Sequence, residues 1–360
     1  MVSGSGVAIP MPVRFRLAGL SLAVLVLAGC GAYTAYWFHV AGQLRKGVED
    51  FVASRRAEGW RLEHRDIALF GFPAEIGLDL GALSLATPAG ISWASDGVRL
   101  RVPGLDPMGP LLELGTSHQL ALGDGWRGIV TSAGTTLRLR VDGDGDLHAF
   151  AFEAGRAILE QPGAGPLSAE RLAITYEWLN PPDPGHEKPS AHFGLEARGV
   201  EMSLPPHLPF SRRLDLVQVD GRIMGTIPDE PPLSALAAWS NAGGNMELDR
   251  LVVEWPPLTL EADGTFAFDP ALQPLIATTA RVRGWKEMLA RLVEAKMVEP
   301  GMASAAEMLL AILARPDPQG RPTLTLAVTL QDGNLYAGQV KLMKLPPLPI
   351  TPPGSGAPPS

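Results

Sequence analysis

The chain has 360 residues, a net charge of −8, 46% hydrophobic and 6% aromatic residues, 40 glycines, 34 prolines and one cysteine. The acidic balance excludes the basic footprint that nucleic acid requires, and the frequent glycine and proline oppose a helical bundle. With Cys30 alone, the remainder has no disulfide and no thiol nucleophile, so packing must hold one large or two moderate β-rich domains together.

Residues 1–16 read as a cytoplasmic N-terminus. Leu17 to Phe38, LAGLSLAVLVLAGCGAYTAYWF, contains no Lys, Arg, Asp or Glu. Its 22 residues reach roughly 33 Å as a helix, enough for a bilayer core of about 30 Å. Arg14 and Arg16 precede it, which keeps the N-terminus inside and sends the chain after it outward. Leu17, Leu20, Leu25 and Leu27 supply apolar bulk, and Tyr33, Tyr36, Trp37 and Phe38 gather at the far end, where ring side chains favour the headgroup layer. This predicts a transmembrane signal anchor over 17–38. Leu27-Ala28-Gly29-Cys30 also resembles a lipobox, which would lipidate Cys30 after cleavage, and full removal is a third reading. All three place residues 41–360 outside the inner membrane, in the periplasm.

Val40, Leu44, Val48, Phe51 and Val52 recur at helical spacing, with charged residues on the remaining turn, so the helix continues outward and ends near Gly59. The period then changes to two. Trp60, Leu62 and His64 alternate with Arg61, Glu63 and Arg65, and after the turn at Phe70–Pro73, Ile76, Leu78 and Leu80 alternate with Gly77, Asp79 and Gly81. Further strands are expected at 82–86, 90–95, 97–103, 111–114, 118–122, 127–131, 135–141, 147–153, 156–160 and 170–178, separated by Gly, Pro, Asp or Ser. Strands this closely spaced cannot be parallel, because a parallel return needs a crossover of about a dozen residues. The pattern predicts a mainly β fold with a few helices: a long antiparallel meander over 40–180, a Pro-rich linker or loop at 181–190, and a second β-rich region over 191–345.

In that second region strands are expected at 191–203, 214–226, 248–254, 257–261, 263–268 and 275–283, with a short helix at 233–239. Trp285, Met288, Leu289, Leu292, Val293 and Met297 follow helical spacing, Pro300-Gly301 breaks it, and a second helix over 303–314 completes a helical hairpin. Strands 322–330 and 334–343 flank the turn Gln331–Asn334. The tail 346–360 is rich in Pro, Gly and Ser and is expected to be disordered. The architecture expected is two successive curved sheets, the second carrying the hairpin.

Two blocks carry a resemblance. One is YWFHVAGQLRKGVEDF with GWRLEHRDIALFGFPAEIGLDL; the other is LDRLVVEWPPLTLEADGTFAFD, GWKEMLARLVEAKMV and LTLAVTLQDGNLYAGQVKLMKLPPL. They resemble domain-of-unknown-function family 2125, membrane-anchored exported bacterial proteins, over roughly 35–345. The order of strands and Asp-Gly turns is also similar to AsmA-like envelope proteins, which implies curved, groove-forming sheets linked to lipid. The first resemblance brings no catalytic residues.

Chemistry is hard to place. Asp142-Gly143-Asp144-Gly145-Asp146 with Glu153 imitates a calcium loop, but its sixth position is Leu147 where the sharp turn needs Gly, so a solvated hairpin turn explains it better. The histidines at 39, 64, 118, 148, 186, 192 and 207 form no metal-ligand spacing, and nucleophile elbows and phosphate loops are missing. No catalytic, cofactor or metal residue is therefore assigned. The tryptophans and the methionines of the hairpin read first as core; the sharper reading makes Trp285, Met288, Leu292, Met297 and Met308 an apolar-ligand or partner surface. The expected function is non-enzymatic envelope maintenance or binding of lipid or another hydrophobic ligand. The alternative is a scaffold for another envelope protein, and an envelope hydrolase has no signature to support it.

Overall fold

The computed structural model describes residues 13–102, 108–123, 125–143, 146–179, 187–205, 208–228, 230 and 232–348, with side chains of the first helix described from Leu25 onward. Helix α1 (Val13–Ala57) is followed by β1 (Arg61–His64), β2 (Ala68–Phe70), β3 (Ile76–Ala86) and β4 (Ile91–Val102). Then come β5 (Leu111–Leu114), β6 (Ser117–Leu122), β7 (Trp126–Ser132), β8 (Thr136–Val141), β9 (Leu147–Ala154), β10 (Ala157–Glu160), β11 (Leu167–Ala169) and β12 (Arg171–Trp178). The chain continues through β13 (Pro189–Met202), β14 (Arg213–Met224), α2 (Pro232–Asn241), β15 (Asn245–Trp255), β16 (Leu258–Phe268) and β17 (Pro274–Arg283). It ends with α3 (Trp285–Glu294), α4 (Pro300–Leu313), β18 (Arg315–Pro316), β19 (Pro322–Gln331), β20 (Asn334–Ala337) and β21 (Val340–Lys344).

Every pairing among the described strands is antiparallel, as the short connections require. The two sheets expected from the sequence are one. β13 pairs with β11 and β12 on one edge and with β14 on the other, so hydrogen bonding passes without a gap from β1 to β21. The expected linker lies largely outside the described residues: 180–186 are not described, and Leu179 N–H bonds to the Ser190 carbonyl at 2.7 Å across it. The expected strand 334–343 is two, β20 and β21, because Gly338 turns the chain at φ 59°.

In the first part of the sheet successive strands are broken at the same level. β5 and β6 are one broken row, as are β7 and β8, β9 and β10, and β11 and β12. The breaks form a transverse crease, bridged by Gly115 N–H to the Gly97 carbonyl at 2.6 Å, Ala133 N–H to Arg156 at 3.1 Å and Glu170 N–H to Arg198 at 2.9 Å. Ser95, Ser132 and Thr135 are buried along it, and the Ser132 and Thr135 hydroxyls bond to each other at 2.5 Å. Gly155 sits in the crease because a Cβ there would lie 2.7 Å from the Ala133 carbonyl oxygen.

α1 lies on the opening strands. Trp37 and Ala41 pack on Ile76 and Val102, and Leu44 and Val48 pack on the cluster of Ile67, Leu78, Leu80 and Val98. The stripe that predicted an amphipathic helix therefore covers the apolar face of β3 and β4. The helix ends at Ala57, and Gly59, the residue expected to cap it, takes a left-handed φ of 88°.

Candidate functional site: an apolar sheet face

Directly paired residues of an antiparallel sheet point to the same face. Following the register from strand to strand therefore shows what each face presents. From β3, Leu78 pairs with Leu100, then Leu112, Leu137, Phe152 and Ile174. The row continues through Leu195, Val219, Leu251, Ala262, Ala280 and Leu326 on β19. No polar side chain interrupts it.

Three neighbouring rows share this face. One runs Ala154, Leu172, Ala197, Val217, Val253, Leu260, Val282 and Leu324. On the other side lie Leu139, Phe150, Tyr176, Phe193, Gly221 and Leu248, and beyond them Trp178, Ala191, Ile223, Met246, Phe266, Ile276, Leu330, Leu335 and Met343. The reverse face carries charge ladders: Arg198 with Glu196 at 2.7 Å, Arg222 with Asp249 at 2.7 Å and Arg281 with Asp263 at 2.6 Å. Such exposed pairs add little to stability; here they mark which side meets water.

The apolar face is only partly covered. Beneath α1, Leu78 is fully buried, whereas five and six strands along the same row Ile174 and Leu195 are each 39% exposed. Over β13 to β19 the face curves around an open hollow of about 420 Å³ lined by Phe193, Val219, Leu248, Leu251, Phe266, Ile276 and Val328 among others. Six flat strands would spread over about 24 Å, so side chains from the first and last of them line one hollow because the sheet curves around its apolar side. The volume falls within the roughly 300–1,000 Å³ of small-molecule sites. Next to it Phe150 stacks on Tyr176 at 5.8 Å and Trp178 meets Tyr176 at 4.4 Å. Burial alone pushes the Tyr176 phenol above its ordinary pKa.

Two larger hollows, about 780 and 680 Å³, lie on the charged face and are floored by small residues such as Ala149, Ala151 and Gly194, or Ser84, Ala86 and Ala94. They are wider because the floor is nearly bare backbone. Burial of apolar groups gains most where almost no polar surface must lose water, so the smaller hollow, lined almost wholly by apolar side chains, is the better site for an apolar ligand.

The expected surface residues separate. Trp285 and Met288 are buried at 4% and 7% on α3, which packs on α4; Leu292 is half-buried, while Met297 and Met308 are 52% and 70% exposed. Of the expected anchor, Leu17 and Leu20 lie outside the described side chains. Leu25, Leu27, Tyr36 and Phe38 are exposed, as is Cys30, whereas Trp37 is buried and Tyr33 half-buried against the sheet. Among the described residues no helix is long and apolar enough to cross a membrane. Among them, too, no three His, Cys, Asp or Glu side chains meet to hold a metal ion. Asp142 and Asp146 close the turn between β8 and β9, with Asp146 N–H donating to the Asp142 carboxylate at 3.0 Å; residues 144 and 145 of the imitated calcium loop lie outside the described residues.

With this geometry in place, comparison adds one family. The model for an uncharacterized protein conserved in bacteria, DUF2125, matches residues 37–346. The chain belongs to that family. No curated protein and no solved structure matches it. The DUF2125 region begins at Trp37, the residue by which α1 grips the sheet, and ends just past β21, so the family match and the sheet with its covering helix coincide.

Proposed function

We propose that this DUF2125 protein is a non-enzymatic component of the bacterial envelope, tethered to the inner membrane by its N-terminal helix, with the sheet in the periplasm holding lipid chains along its apolar face. The observation that carries the proposal is the set of four register-matched apolar rows, which continue past the cover of α1 and line an open hollow of about 420 Å³. The uncharged stretch Leu17–Phe38 supports the tether. A curved, apolar-sided sheet is also what the AsmA-like resemblance would require.

The test uses the full chain in native membranes, with a photoreactive amino acid at Ile174 or Leu195 and, as controls, at Thr175 or Glu196 on the reverse face. Lipid adducts identified by mass spectrometry at the first pair and missing from the second are expected. Equal labelling of both faces, or no lipid at either, removes the proposal.

A second reading, a scaffold for another envelope protein, has one specific support. α4 exposes Met302, Met308, Leu309, Ile312 and Leu313, each at least 60%, and carries a single charged residue, Glu307. A discrete protein adduct from a photoprobe at Leu309 would favour this reading.

A further inference from the structure

We infer that Tyr176 and Trp178 hold the ester carbonyls of a fatty-acyl lipid whose chain occupies the neighbouring apolar hollow. The inference rests on the lipid-holding reading above and names the chemical class of the lipid and the side chains that grip it.

The two rings stand beside the hollow and on its face. They are two residues apart on β12, so both share the apolar side with Ile174. Tyr176 pairs directly with Phe193, which lines the hollow, and such partners have Cβ atoms about 5 Å apart. Trp178 pairs with Ala191, whose row goes on through Ile223 to Met246, another lining residue. Phe193 itself leans over bare backbone, since a Cβ on Gly221 would lie 2.7 Å from its ring. This stretch of the face is open: Ile174 and Leu195 in the adjoining row are both exposed.

The lining of the hollow selects the apolar part of a ligand. Among the described residues, none around it is ionisable, and its polar side chains are those of Thr265 and Thr278. The Thr278 hydroxyl already donates to the Val328 carbonyl at 3.4 Å. A polar group entering there would lose water with almost nothing to replace it, whereas an acyl chain loses nothing.

Tyr176 and Trp178 offer what the hollow lacks. Trp37, Trp239 and Trp255 each donate the indole N–H to a backbone carbonyl, at 2.9, 2.9 and 2.7 Å. The Trp178 N–H and the Tyr176 hydroxyl have no such acceptor among the described residues. Neither is shut away, because the buried side-chain atoms without a partner there belong to His118, Trp285 and Asn334. Burial keeps the phenol protonated, and so a donor. The two rings meet at 4.4 Å and Phe150 stacks on Tyr176 at 5.8 Å, which holds the donors in place. A phosphate calls for Arg or Lys, and the four apolar rows contain neither. An ester carbonyl accepts hydrogen bonds without carrying charge, and in a lipid it sits where the apolar chain ends. Aromatic rings with a polar tip settle at that same boundary in bilayers.

The test uses the full chain with a photoprobe replacing Leu195, reconstituted in vesicles of diacyl phosphatidylethanolamine or of the dialkyl ether lipid with the same headgroup and chain length, which lacks the carbonyls. Lipid adducts are measured by mass spectrometry. The protein that retains Tyr176 and Trp178 is expected to yield roughly tenfold more adduct from the ester lipid, equivalent to about 1.4 kcal/mol. In Tyr176→Phe/Trp178→Phe, which keeps a ring at each position and removes both donors, the two yields are expected to converge on that of the ether lipid. Equal yields from ester and ether lipid before any change at 176 or 178 overturn the inference while the lipid-holding reading stands, and this comparison does not depend on how the variant folds. An ester preference that survives in the double variant overturns it as well. No adduct from either lipid removes both readings together.

Discussion

The opening strands and the later strands dispose of sheet twist in different ways. Neighbouring strands rotate by about 20–25°, and open sheets rarely pass about ten strands without curling or splitting. From β3 to β13 the sheet folds along a crease where strand after strand breaks, and α1 shields the first two of those strands. From β14 to β17 the strands run 10 to 12 residues each, with bulges at Asp220/Gly221 and Leu248/Leu251, and the sheet coils around its apolar side. The same apolar rows cross both regions. The difference shows that the apolar face is continuous while its cover is local: a solid core at one end, an open trough at the other.

Leu78 and Ile174 test that contrast most directly, since they occupy one row five strands apart. Leu78→Ala removes a fully buried side chain under α1 and is expected to cost about 2–5 kcal/mol. Ile174→Ala, at a 39% exposed position, is expected to cost less than about 1 kcal/mol. Urea unfolding of both variants provides the measurement. Similar losses at the two sites would mean that something covers the trough.

The crease can be broken separately. Gly155→Val would drive a side chain against the Ala133 carbonyl oxygen, 2.7 Å from the new Cβ, and is expected to destabilise by about 1–3 kcal/mol. Gly134 has open space around it but a left-handed φ of 63°, so Gly134→Ala meets only the backbone penalty of about 1–2 kcal/mol. A Gly155→Val variant that melted like the parent protein would show that the crease yields easily and fixes no geometry.

Much of this fold was legible because period-two alternation and Gly/Pro punctuation are local signals. The strand expected at 111–114 is β5 to the residue, and the helical hairpin after Trp285 stands where its spacing put it. What local signals cannot supply is register. Leu78, Phe152, Leu195 and Leu326 share a row only because turns and bulges between them set which residues face each other. The same gap produced two sheets where there is one, since residues 181–190 look like a linker while the edges of β12 and β13 pair across it. Trp285 and Met288 were readable as apolar, but helical spacing alone does not say which apolar residues of a helix are buried, and here these two are while Met297 is exposed.

His118 carries the crease into pH dependence. It is 5% exposed, stacks on Trp93 at 6.1 Å, and neither ring nitrogen completes a hydrogen bond among the described residues. Burial pushes its pKa down, against smaller upward pulls from the Asp96 carboxylate and the Gly115 backbone. A histidine held neutral in the folded protein lends full stability above its unfolded pKa of about 6.5 and loses it as pH falls below that value. The melting temperature is therefore expected to drop between about pH 7 and pH 5, and to drop less in His118→Leu. Parallel profiles for the two proteins would show that the ring is solvated.

Asp96 provides the smallest and most local test. Its carboxylate accepts the Ser117 N–H at 3.2 Å and the Thr116 hydroxyl at 3.0 Å, bridging the break between β5 and β6. Gly115 makes room for it, since a Cβ there would fall 1.7 Å from the carboxylate oxygen. The Ser117 N–H does most to hold the Asp96 pKa below the ordinary carboxylate range, burial opposes it, and Thr116 and the His118 charge add to the lowering. A depressed carboxylate contributes stability above its unfolded pKa of about 3.9 and loses it as pH falls through the lowered value. Because the group is exposed, Asp96→Asn is expected to cost only about 0.5–1 kcal/mol at neutral pH, and that difference should shrink as the unfolding midpoint is followed down past about pH 4. A difference that persisted unchanged into acid would assign the effect to the geometry of the turn rather than to its charge.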